Sequence, residues 1–222
     1  GFQPWGRFVG FITNNESLQS LWTPMTMLNI WRIPILFYVS GMGLFLAMQN
    51  RNWKQLFKER FKRIGIPLVF GALAIVPIHL LLVQNYYGNE LSYKSSMGHL
   101  WFLGNILMYV ILLSPILYFF KNRSTNVIVV LIKKLFSNPL GLAFTILLFI
   151  SEAQLIKPHI YELYAYTFHG FFLGLLAFLT GYLFMLSGEP FWEMLQKWKW
   201  FFFLTAITAF IARTNHWFIQ PN

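Results

Sequence analysis

The sequence predicts an all-α, polytopic membrane helix bundle, and three observations lead there. The chain of 222 residues is 57% hydrophobic and 20% aromatic, with 25 Phe, a mean hydropathy of +0.54 and only 11% charged residues. A soluble domain carries about a quarter of its residues as charges. Uncharged runs recur along the chain, close to the roughly 20 residues a helix needs to cross about 30 Å of hydrocarbon. The cations gather at the ends of these runs rather than over a surface. The lipid bilayer is therefore the first expected partner. Net charge +10, from 17 Lys and Arg against 7 Glu and no Asp, follows membrane topology, so no nucleic-acid partner is expected. The absence of Cys excludes disulfides, thiolate metal sites and Cys nucleophiles.

Six spans are expected, at 29–50, 64–86, 99–120, 136–156, 164–186 and 199–217. Residues 1–28 read as an external loop. They open on Gly1-Phe2-Gln3-Pro4-Trp5, with neither an initiator Met nor a signal peptide, so the chain reads as an internal piece of a longer protein. The sixth span rests on the short run Trp200–Ala212, which reaches crossing length only if Lys199 and Arg213 snorkel to the two interfaces. Pro34, Pro67, Pro77 and Pro115 lie in or at the ends of spans. The backbone groups they free need partners, because lipid offers none. Kinked helices around a hydrated cavity and ordinary bundle packing both meet that need. In the fifth span Gly170, Gly174 and Gly181 recur at helical spacing, which predicts a close helix–helix contact.

Orientation follows from the cations of alternate loops. One side holds Arg51, Lys54, Lys58, Arg60, Lys62 and Arg63 in a hairpin opposed only by Glu59. Lys121, Arg123, Lys133, Lys134, Lys197 and Lys199 join them there, giving twelve cations. The other side holds five: Arg7, Arg32, Lys94, Lys157 and Arg213. The positive-inside rule places the twelve in the cytoplasm. His79, His99, His159, His169 and His216 then all fall on or near the outer side, together with Glu90, Glu152 and Glu162. Groups that move protons face out and groups that bind anions face in. Simple tolerance of His and Glu at an interface gives the same distribution.

Individual residues sharpen the choice. Arg60 and Arg63 are three apart and share one face of a regular helix, where two guanidiniums clasp a phosphate; lipid head-group anchoring is the competing reading. Glu152 is an ionisable group close to membrane depth, which points either to function or to the plain interface. His99 opens a span beside Trp101, as an interfacial aromatic belt also would. Ser40 lacks the upstream Gly of a nucleophile elbow and reads as a packing residue. No metal site is expected, since neither H-E-x-x-H nor any comparable ligand spacing occurs.

Three segments together resemble the membrane-bound acyltransferase family 3. Trp31-Arg32-Ile33-Pro34-Ile35-Leu36-Phe37-Tyr38-Val39-Ser40-Gly41 is similar to that family's span ending in Phe-Phe-x-x-Ser-Gly. Glu59-Arg60-Phe61-Lys62-Arg63-Ile64-Gly65-Ile66-Pro67 is similar to its Arg-x-x-Arg motif running into Ile/Leu-x-x-Pro. The third segment is His99-Leu100-Trp101-Phe102-Leu103. Within the family, the branch that succinylates periplasmic osmoregulated glucans is the nearest variant. The resemblance implies a protein of roughly ten spans in the bacterial cytoplasmic (inner) membrane. It implies acyl transfer from cytoplasmic acyl-CoA, a co-substrate rather than a resident cofactor, to a hydroxyl of a glycan or small acceptor outside. Arg60 and Arg63 take the donor-site role by this likeness, while His99, Trp101 and Glu152 are candidates to line the cavity. The family's catalytic His belongs to a first span upstream of Gly1, so the base is unassigned and the piece alone is expected to be inactive. A proton-coupled transporter is the alternative, and a non-catalytic membrane subunit comes third.

Overall fold

A computed structural model of the protein describes residues 22–121, 126–159, 161 and 163–219. These residues form helices joined by short connections, with no strand among them. In chain order they are α1 (Trp22–Gln49), α2 (Trp53–Tyr86), α3 (Trp101–Lys121, entered through a 3₁₀ turn at Gly98–Leu100), α4 (Val127–Phe136), α5 (Pro139–Ile156), α6 (Phe168–Ser187) and α7 (Glu189–Ile219). Of the expected external loop 1–28, residues 1–21 lie outside the described residues, as do Arg123 and Glu162. Residues 22–28 are helical and open α1.

Among the described residues five helices are long and apolar enough to cross a membrane: Ile30–Gln49 within α1, α2, the segment Gly98–Lys121, α5 and α6. The sixth expected span is not among them. It falls in α7, whose 31 residues begin with Glu189, Glu193, Lys197 and Lys199 and carry Arg213 further on. The uncharged stretch between Lys199 and Arg213 is too short to cross without help from its flanks.

The basic stretch is not a loop. Asn52 caps α2: its Oδ1 accepts from the Gln55 amide at 2.9 Å, and Gln55 Oε1 accepts from the Asn52 amide at 3.1 Å. From Trp53 the cations Lys54 to Arg63 therefore ride on the first turns of a 34-residue helix. Two wide π turns, Phe61–Gly65 and Gly71–Ile75, interrupt it just before Pro67 and Pro77. Ile66 N–H donates to Phe61 O and Val76 N–H to Gly71 O, each five residues back. The wider turn makes room where a proline ring would press on the preceding turn.

Contacts at the two ends of the bundle fix the alternation. At the cationic end Lys121 Nζ donates to Met48 O (2.5 Å) and Gln49 O (3.2 Å), and Tyr118 Oη donates to Arg51 O at 3.1 Å. At the opposite end Tyr164 Oη donates to Ile30 O and Tyr166 Oη to Gly98 O, both at 3.0 Å. The tightest pairing is α1 on α6. A methyl group at Gly41 would collide with the carbonyl of Phe178, and one at Gly181 with the carbonyl of Tyr38. These glycines let two backbones touch, as membrane helices require where burial of apolar area drives nothing. Phe37, Leu44, Met48, Tyr109, Phe178 and Tyr182 fill the core around that seam. Tyr109 Oη is satisfied by Phe171 O at 2.7 Å. Val39, Phe70, Ile78, Leu82, Ile116 and Leu147 are more than half exposed, an apolar exterior suited to lipid.

Candidate functional site

The cationic end is built by α1, α2 and α3. Arg60 is partly buried, and its Nη2 donates to Gly43 O at 2.9 Å. Its Nε is buried without a hydrogen-bond partner. A buried charged donor left unpaired is costly, so this edge of the guanidinium is a natural contact for an anion. Arg63 behaves differently. Its side chain is 73% exposed and its Nε pairs with Glu59 Oε1 at 3.2 Å, while Glu59 Oε2 meets Arg51 Nε at 2.5 Å. The π turn from Phe61 explains the divergence, because in a wider turn three residues no longer return to one face. The structure therefore does not bring Arg60 and Arg63 together as a shared-face pair.

At the same end a cavity of about 720 Å³ opens between the end of α1, the first turns of α2 and the last turns of α3, and Arg60 is not in its wall. Arg51, Trp53, Phe57, Tyr118 and Lys121 are in its walls, and Ser114 and Pro115 lie deepest along α3. No acidic residue lines it among the described residues.

The opposite end holds a buried pair. His169 and Glu152 are 2% and 6% exposed, with His169 Nδ1 at 2.9 and 3.1 Å from the two Glu152 carboxylate oxygens. His169 Nε2 lies 3.1 Å from Tyr161 O. Tyr161 and Tyr164 enclose the imidazole, with ring centroids 4.9 and 5.7 Å away, and the Arg213 guanidinium lies over Tyr161 at 5.8 Å. A carbonyl oxygen only accepts, so Nε2 carries a proton. The remaining proton is then shared along Nδ1···Oε: either an imidazolium meets a carboxylate, or a neutral imidazole accepts from a carboxylic acid. Both forms satisfy every partner. Thr167 Oγ1 accepts from the Gly170 amide at 3.0 Å and starts α6 where His169 can reach α5.

The remaining candidates sit apart from the cations. Trp101 is 9% exposed, packs on Phe37, and borders an apolar cavity of about 660 Å³ together with Asn105, Tyr166, Thr167 and Phe171. His99 is exposed on the turn ahead of α3 and does not border that cavity, nor does Glu152, which is turned to His169. His169 is the residue that sequence reasoning left unassigned. The available signal was a Glu at membrane depth, which needs a partner, and a His opening the next span on the same side. Ser40 donates to Leu36 O at 2.7 Å, one turn back, in keeping with a packing role.

The helical architecture of the described residues, with five helices able to span, makes this an integral, multi-pass membrane protein. A family model described as an acyltransferase domain matches residues 5–221, nearly the whole chain. The chain therefore belongs to the acyltransferase 3 family of membrane acyltransferases. No curated protein and no solved structure is detectably similar to it.

Proposed function

We propose that the protein transfers an acyl group from cytoplasmic acyl-CoA to a hydroxyl of a glycan or small acceptor at the outer side of the bacterial inner membrane. The observation that carries the donor assignment is Arg60, a partly buried guanidinium with an unpartnered Nε, at the end of the bundle where a cationic cavity opens with no acidic residue among its described lining. Acyl-CoA is the donor whose phosphates and long arm suit such an end. In the reaction the acceptor oxygen attacks the thioester carbonyl and its proton passes to a general base. The carbon–sulfur bond then breaks, and the CoA thiolate leaves and takes up a proton.

The test is transfer of label from radioactive acyl-CoA to acceptor by the full-length protein in membranes. Arg60→Ala removes one charge-assisted phosphate contact, on the order of 1.5–3 kcal/mol, and should lower donor use about ten- to a hundredfold. Lys58→Ala, on the exposed face of the same helix, should leave it unchanged. Equal turnover by both variants would reduce the basic stretch to a lipid anchor.

A further inference from the structure

We propose that the 720 Å³ cavity at the cationic end seats the adenine nucleotide end of the acyl donor, with Trp53 and Tyr118 as its ring contacts and Lys121 and Arg51 as its phosphate contacts. The proposal rests on acyl-CoA being the donor, and it assigns the nucleotide to residues outside the Arg-x-x-Arg segment.

The size is that of a small-molecule site, which typically spans about 300–1,000 Å³. Its charge fits an anion: Lys121 and Arg51 line it and no carboxylate does among the described residues, and with Arg51 Nε paired to Glu59 at 2.5 Å the uncompensated cation is Lys121. Lys121 is held by backbone, and Arg51 by backbone and by Glu59. Lys121 spends two of its three ammonium donors on Met48 O and Gln49 O, and Arg51 Nη1 donates to Ala47 O at 3.3 Å. Carbonyl partners do not cancel a cation's charge, so Lys121 brings a fixed positive charge with one donor to spare. Capping the carbonyl end of α1 explains those bonds but not the aromatic surface beside them. Trp53 is 57% exposed in the cavity wall, edge-on to Phe57 at 6.4 Å and with Lys54 Nζ 5.4 Å from its ring centroid, so a flat ring would stack on the indole face away from Lys54. Stacking of a base on an aromatic side chain is favourable for any base.

Depth links the cavity to Arg60. From Asn50 to Gly43 on α1, from Trp53 to Arg60 on α2, and from Lys121 to Ser114 on α3 is the same seven residues, roughly 10 Å at 1.5 Å per residue. Arg60 is therefore level with the floor of the cavity, while Lys121 and Trp53 stand at its mouth. A donor with its 3′-phosphoadenosine at the mouth would bring its diphosphate inward toward the level of Arg60 and its arm beyond it.

The experiment is equilibrium binding to the full-length protein in nanodiscs, with CoA, 3′,5′-ADP and pantetheine as probes. Wild type should bind CoA and 3′,5′-ADP. Trp53→Ala and Lys121→Gln should each weaken both by about tenfold or more, Trp53→Phe should recover most of the loss, and Lys58→Ala should change nothing. Pantetheine, which lacks the nucleotide, should not distinguish the variants. Trp53→Ala carries the result if Lys121→Gln fails to fold for want of its α1 cap. Normal CoA binding by Trp53→Ala overturns the seat and leaves the donor reading standing. A wild type that binds no CoA removes the donor reading itself. If nanodiscs of phosphatidylglycerol abolish 3′,5′-ADP binding seen in phosphatidylcholine, the cavity is a lipid head-group site and the proposal fails.

Discussion

At the scale of single residues, the side chains with defined chemistry divide between the two ends of the molecule. The Glu152–His169 pair is nearly sealed, and each member is the other's main polar partner. Removing one half strands the other, which in buried pairs costs about 3–5 kcal/mol. Glu152→Gln and His169→Leu should each lower the thermal midpoint of the solubilised protein sharply. The double variant should be less unstable than the sum of the two singles; simple additivity would show that the pair is not coupled. Arg63 stands at the other extreme. Its exposed pair with Glu59 is of the kind worth about 0–1 kcal/mol, so Arg63→Ala should leave the midpoint unchanged and affect donor KM far less than Arg60→Ala. Equal KM effects would restore the paired clasp expected from spacing alone. The sequence made Arg60, Arg63 and Glu152 visible as candidates because each is an ionisable group at a membrane boundary. It hid their division of labour, because three-residue spacing means one face only in a regular helix, and the π turn at Phe61 is not written in any residue before Pro67 is considered.

At the scale of elements, the α1–α6 seam is the part most plainly encoded. Gly174 and Gly181 were legible as a small-residue face. The partner was not, because nothing local in Val39-Ser40-Gly41-Met42-Gly43 says which of its two glycines faces a neighbour. The structure separates them: Gly41 is pressed against the Phe178 carbonyl, whereas nothing lies within 4 Å of a Cβ added at Gly43. Gly41→Ala and Gly181→Ala should each destabilise the protein by about 1–3 kcal/mol, as overpacking does, while Gly43→Ala should be neutral. Thermal unfolding of the three variants in one detergent checks this, and an unstable Gly43→Ala beside a stable Gly41→Ala would put the seam on the wrong residue. The basic stretch was misplaced for a related reason. Charge density and position between spans suggested a loop, but the Asn52–Gln55 capping box starts a helix that the cations simply continue.

At the scale of the whole molecule, alternation of the spans follows from composition and is tied down by few contacts. The ends of α1 and α3 meet through Lys121 and Tyr118, and their beginnings are gathered by Tyr164 and Tyr166. The one span that sequence counting added, 199–217, depends on flanking charges whose snorkelling no local pattern can guarantee. The polarity of the bundle can be read in cells, since the chain has no Cys to remove. Lys54→Cys should resist an impermeant reagent added outside, and Lys94→Cys should react; labelling of position 54 from outside would invert the topology. The central claim is that acyl groups enter at the cationic end and leave at the other, and sealed vesicles of opposite orientation test it most directly. With the full-length protein in the membrane and acceptor enclosed, labelled acyl-CoA added outside should label the acceptor in inverted vesicles, where the cationic end faces the medium. It should not do so in right-side-out vesicles. Acceptor labelled equally in both preparations, or only in the right-side-out one, would contradict the account.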